Sequence, residues 1–163
     1  MMRLSDKQNG FSLLEVLIAL IVLSIGLLGH SKIQALGVRA GTDAHLRTEA
    51  TFLANDLIER MRANRPSVDS DYYAGINYSA IDCTSAPAKI CSEGTAGSAS
   101  DCTTSEMADE DAFNWFCDVT ATLPNGNVTV SSAAGVYSVL VGWDGLDEDG
   151  NVQARNVSAN FIP

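Results

Sequence analysis

Glu15 is the residue whose chemistry most needs a partner. It is the only charge in the nineteen-residue run Phe11–Gly29, FSLLEVLIALIVLSIGLLG. A carboxylate in an apolar helix costs roughly 2.5–3.5 kcal/mol on insertion scales, so a positive group is expected to meet it. A second set of reactive groups lies far downstream, at Cys83, Cys91, Cys102 and Cys117, with 7, 10 and 14 residues between neighbours. That spacing contains no close CxxC pair, and the two histidines, His30 and His45, lie outside the cysteine region, so no zinc site is expected. An even number of clustered cysteines predicts two disulfides instead. The acidic string from Asp144 to Asn151 offers oxygens to calcium, but its glycine is misplaced for an EF-hand and the later glutamate is missing. It reads as an acidic hairpin loop. Neither histidine neighbours a candidate nucleophile, so no catalytic group, metal or cofactor is expected, and the chain does not read as an enzyme.

The elements that carry these residues follow from periodicity. Residues 11–29 as a helix rise about 28 Å, close to the apolar thickness of a bilayer. Beyond them Ile33, Leu36, Ala40 and Ala44 lead to Leu46, Ala50, Leu53, Leu57 and Met61, mostly in steps of three and four. This stripe predicts an amphipathic continuation over 30–65 that packs on a core. Gly26, Gly29, Gly37 and Gly41 weaken its middle, and Pro66 is expected to stop it. One helix over 11–64 would reach about 80 Å, more than a head of this size covers. Residues 67–103 read as loop. Thr103 and Glu106 then have capping-box spacing, and Ala108, Ala112, Trp115, Phe116 and Val119 give a second helix one apolar face. After Pro124-Asn125-Gly126 the period becomes two. Val128 and Val130, then Tyr137, Val139, Val141 and Trp143, then Val157, Ala159 and Phe161 describe three strands. Turns at Ala134-Gly135 and Asp144–Asn151 separate them, which predicts an antiparallel meander. The fold class is α+β.

Continuity of the second helix limits how the cysteines pair. Cys102, just before the Thr103 cap, and Cys117, well inside the helix, would be about 22 Å apart, whereas a disulfide needs Cα atoms within ~7 Å. Two pairings remain: Cys91–Cys102 with Cys83–Cys117, or Cys83–Cys102 with Cys91–Cys117. The first closes the short loop on itself and ties the longer one to the helix.

Charge divides the chain. Residues 1–65 hold 8 Lys and Arg against 6 Asp and Glu, while residues 66–163 hold only Lys89 and Arg155 against 14, giving +2 and −12. So acidic a second half repels phosphate backbones, and no nucleic-acid partner is expected. Basic residues before the apolar run place the N-terminus in the cytoplasm and the cysteines in an oxidising exterior space. A cleaved secretory signal would have a shorter apolar core and its cleavage site on the far side.

The string Gly10-Phe11-Ser12-Leu13-Leu14-Glu15 ahead of that run resembles the signal of type IV prepilins and type II secretion pseudopilins. The resemblance implies that a prepilin peptidase cuts after Gly10 and that the new Phe11 amine is methylated. It also implies that Glu15 neutralises the amine of a neighbouring subunit during assembly. Leu53 to Asn64 (LANDLIERMRAN), Met107-Ala108, Asp111, Trp115 and Leu123-Pro124-Asn125-Gly126 are similar to the PilV type of minor pilin, the type IV pilus modification protein family. Major pilins carry a proline well along this helix, whereas here none precedes Pro66, which suits a low-copy subunit.

The organisation implied is a leader over 1–10, a transmembrane and assembly helix over 11–29, its continuation over 30–65 and a periplasmic head over 66–163. The function implied is a minor pilin that primes or caps pilus assembly. It would sit in the inner membrane as a single-pass protein and then in the pilus. Other minor pilins and the major pilin would be its partners. A type II secretion pseudopilin and a pilus-displayed adhesin are the competing readings.

Overall fold

The structure is a computed structural model that describes residues 12–85, 87, 89–91, 102–147 and 149–163. The chain divides into two compact units, residues 1–40 and 41–163. Helix α1 spans Leu13–Ala63 and contributes to both. In the first unit every described side chain is exposed, from Ser12 to Ala40.

The second unit builds its core on the last turns of α1. Ala50, Leu53, Ala54, Leu57, Ile58 and Met61 are buried, at the steps that bring residues to one helix face. The stripe read from sequence is therefore shorter than expected. Ile33, Leu36, Ala40 and Ala44 are exposed, Leu46 is the first of the stripe to touch the core cluster, and burial becomes complete at Ala50. Three-and-four periodicity marks a face that can pack without saying where the packing partner begins.

The long helix stops just ahead of Pro66 as expected, and Pro66 has a second part as well. Helix α1 ends at Ala63, and Pro66 sits in the first turn of a new short helix, α2 (Arg65–Asp69). Its missing N–H is no loss there, because first-turn amides have no intrahelical acceptor. The segment expected to be loop also contains α3 (Tyr72–Gly75) and a 3-10 turn at Tyr78–Ala80. Val68, Tyr73 and Tyr78 are buried from these turns and hold them to the core. Three anchors isolated among polar residues give no period to read.

Helix α4 (Thr104–Thr122) opens with the capping box. The Thr103 hydroxyl accepts from the Glu106 amide at 3.3 Å, and the Glu106 carboxylate accepts from the Thr103 amide at 2.8 Å. Ala108, Ala112, Trp115 and Val119 form its buried face. The indole of Trp115 donates to the Leu53 carbonyl at 2.7 Å, which joins α4 to α1 inside the core. Tyr78 packs edge-on against the same indole, with ring centroids 5.8 Å apart. The exit of α4 is tight. A Cβ on Gly126 would lie 2.8 Å from the Val119 carbonyl oxygen, so only glycine fits without a backbone shift.

Three antiparallel strands complete the unit in the order β1 (Asn127–Ala133), β2 (Val136–Leu146) and β3 (Val152–Phe161). Ala134 and Gly135 both take positive φ, as a two-residue hairpin turn matching strand twist requires. Register places Val130 opposite Val139, Val139 opposite Ala159, and Tyr137 opposite Phe161. Tyr137, Val139, Val141 and Trp143 point into the core. The second turn is shorter than the sequence suggested. Asp144 to Leu146 still pair with Ala154 to Val152, so the ladder runs through the start of the acidic string.

Trp115 fills the centre of the core and carries a hydrogen bond. Trp115→Ala is expected to cost about 3–5 kcal/mol, the usual range for truncating a buried Trp. Urea unfolding of the full-length protein in detergent micelles measures it.

Candidate functional site: the apolar helix and the disulfide-braced head

Glu15 lies in the first turn of α1. The Ser12 carbonyl accepts from the amides of Glu15 at 3.0 Å and Val16 at 3.3 Å, and the Ser12 hydroxyl accepts from Leu14 at 3.3 Å. The carboxylate therefore stands at the positive end of the helix dipole, where negative charge is stabilised. Gly10 and Phe11 lie outside the described residues.

The side chains that follow could not face water as a set. Twelve large apolar residues between Leu13 and Leu28 are each about half exposed or more. A patch of that size marks contact with lipid or with other protein. Two serine hydroxyls among and just after them are satisfied within the helix. Ser24 donates to the Leu20 carbonyl at 2.7 Å, and Ser31 to the Leu27 carbonyl at 2.9 Å. Backbone and hydroxyls alike thus need nothing from solvent, which is what a helix in hydrocarbon requires. Among the described residues this is one helix long and apolar enough to cross a membrane. Of the histidines, His30 meets Gln34 at 2.9 Å, and His45 lies 3.9 Å from Glu49 on an exposed face.

In the head, the cysteines form Cys83–Cys117 and Cys91–Cys102, with Cα separations of 5.6 and 5.9 Å. Of the two pairings left open by the sequence, this is the one in which the short loop closes on itself. The cross-links tie Cys83 to the second half of α4 and Cys91 to the residue just before its cap. Hydrogen bonds add to them. The Cys91 amide donates to the buried Glu110 carboxylate at 2.7 Å, and Lys89 donates to Glu106 at 3.0 Å.

A polar network that sequence reasoning missed joins α1, α3 and α4. Asp111 accepts from the Tyr73 hydroxyl at 2.9 Å and lies 3.5 Å from Arg60, which also holds Asp56 at 2.9 Å. Burial pushes the Asp111 carboxyl above its ordinary value, and the bonds from Tyr73 and Arg60 oppose that only in part. Burial likewise raises the Tyr73 hydroxyl, which stays protonated as the donor. No periodicity or motif in the sequence signalled this network. In the acidic hairpin, Asp147 accepts from the amides of Asp149 at 3.0 Å and Asn151 at 2.8 Å. Those backbone bonds hold its carboxyl below the ordinary range. The loop uses this carboxylate to shape itself.

An apolar helix that opens on a single carboxylate, joined to an α+β head with a three-stranded antiparallel sheet, defines the type IV pilin class. Residues 5–29 match the prokaryotic N-terminal methylation motif, and residues 32–113 match the family described as type IV pilin Tt1218. The chain belongs to this Tt1218-like family of type IV pilins. No curated protein and no solved structure matches it.

Glu106 makes the head's stability depend on pH. Its carboxyl is pushed down from 4.5 to about 2, chiefly by the Thr103 amide and then by Lys89. A depressed carboxyl contributes stability above its unfolded value and loses it as acid protonates the folded form. That contribution should fade between pH 4.5 and about 2. Melting temperatures across this window should fall less steeply for Glu106→Gln than for the unaltered protein.

Proposed function

We propose that this pilin is a minor subunit of the PilV type that primes or caps type IV pilus assembly through protein contacts. The observation that carries the reading is an order along one helix. A methylation motif ends at residue 29, the Tt1218-like region begins at residue 32, and the lone Glu15 stands at the start. In this reading a prepilin peptidase removes residues 1–10 by cutting after Gly10. Glycine suits that position because it leaves the backbone open to close approach. Phe11 becomes the first residue and its amine is methylated. A cation then lies one helical turn from Glu15 in each subunit. Buried in a filament or a membrane, each charge is costly alone, so subunits are driven to align carboxylate with neighbouring amine.

The same reading places residues 11–29 across the inner membrane before assembly and the head in the periplasm, where disulfides persist. The helix then leaves lipid for the apolar interior of the pilus, with the major pilin and other minor pilins as neighbours. The subunit acts by contact, with no reaction of its own.

Intact mass of the protein from a host with the peptidase should give a chain that begins at methylated Phe11. A bulky residue in place of Gly10 should leave the leader attached. Glu15→Ala should still enter the membrane, since a buried charge is gone, yet be missing from sheared pili. A leader retained on the unaltered chain would refute the pilin processing, and normal incorporation of Glu15→Ala would refute the assembly contact. Deletion that abolishes pili and spares secretion favours the pilus over a type II secretion system.

A further inference from the structure

Ile81, Asp82, Ser85, Pro87 and Lys89, which follow the 3-10 turn, line a groove of about 550 Å³ against α4. Ile76, Ile81 and Phe113 form an apolar floor, each half-buried. Carboxylates of Asp82, Glu106 and Asp109 stand around it. Glu106 already holds Lys89 at 3.0 Å. Asp109 accepts the Tyr72 hydroxyl at 3.1 Å, and Asp82 accepts from Thr84 in its own loop at 2.9 Å. Among the described residues, no ion pair joins either of these two carboxylates to a cation.

The chemistry of the groove selects its occupant. An anion would meet several carboxylates against one ammonium, inside the field of a region that carries −12 over residues 66–163. A bare metal ion needs oxygens that converge, and no group of three metal-binding side chains gathers among the described residues. An apolar ligand would cover the floor and leave the carboxylates unused. What fits both surfaces is a cation on an apolar stem. The methylenes of an arginine can lie along Ile76 and Ile81, and its guanidinium can stack on Phe113 and reach the carboxylates. Arginine suits this better than lysine because its planar fork grips a carboxylate with two hydrogen bonds.

We propose that this groove docks an arginine-bearing basic segment of a partner protein. The two cations of residues 66–163 are already engaged, Lys89 with Glu106 and Arg155 with Asp43. Residues 66–163 keep a surplus of twelve negative charges after both are counted, and that field attracts such a segment from a distance. Added salt weakens that attraction. The proposal does not depend on the pilus reading, since any partner with this chemistry would serve.

The test uses the full-length protein in detergent micelles and the probe peptide acetyl-Arg-Gly-Arg-amide. NMR titration should give saturable shifts of the Ile76 and Ile81 methyl groups and the Phe113 ring. The double variant Asp82→Asn/Asp109→Asn should weaken binding by about tenfold, the loss expected when charge-assisted contacts are removed. Asp118→Asn/Asp149→Asn removes the same charge from exposed sites outside the groove and should leave affinity within about twofold. Equal weakening by both pairs would mean that the peptide senses only the overall field, and the proposal would fall. Shifts confined to another surface, or no saturable binding at low salt, would overturn it as well.

Discussion

The head hangs on the burial of one short stripe of α1, Ala50 to Met61, against α4 and the sheet. Trp115 is the centre of that contact. Its indole is fully buried, it donates to Leu53, and Tyr78 rests against its face. A buried indole N–H without an acceptor would cost free energy comparable to a lost hydrogen bond, so this bond fixes how α4 sits on α1. The strands then complete the core through Tyr137, Val139, Val141 and Trp143. Tyr137 also donates to the Val68 carbonyl at 2.9 Å, which ties the short helices to the sheet.

Around this core the head relies on cross-links where packing is thin. The segment from Ile81 to Cys91 contributes no fully buried side chain among its described residues, and both of its cysteines are bonded. Disulfides restrict the unfolded chain, so they stabilise a segment that buries too little apolar area to hold itself. The first unit of the chain follows a different rule. Its described side chains are all exposed, and those of residues 13–28 are apolar but for Glu15 and Ser24, a surface that suits lipid or other protein.

The chemistry of the chain is a chemistry of contacts. Carboxylates in the head accept from amides, hydroxyls, Lys89 and Arg60, and they cap helices and shape loops. Glu15 is the exception: it has a helix end behind it and apolar residues ahead. The acidic groove beside α4 offers the head a second place to meet a partner, one that reads charge and stem length rather than helix shape.

Local rules fixed much of this in advance. A nineteen-residue run whose only charge is Glu15 declared the helix, since hydropathy and the methylation signal are properties of contiguous sequence. The Thr103–Glu106 cap and the Ala134-Gly135 turn were legible because each is a short-range device. So were the strands, whose alternation does not depend on distant residues. Continuity of α4 ruled out one cysteine pairing from helix rise alone. Choosing between the other two required knowing where Cys83 and Cys91 lie beside α4, which is a matter of tertiary packing. Tertiary packing also decided where the α1 stripe becomes core, that Pro66 begins a helix, and that Val68, Tyr73 and Tyr78 anchor a polar stretch. It alone brought Arg60, Tyr73 and Asp111 together. Contacts between residues some forty or fifty positions apart leave no period in the chain, so they exist only once the elements have met.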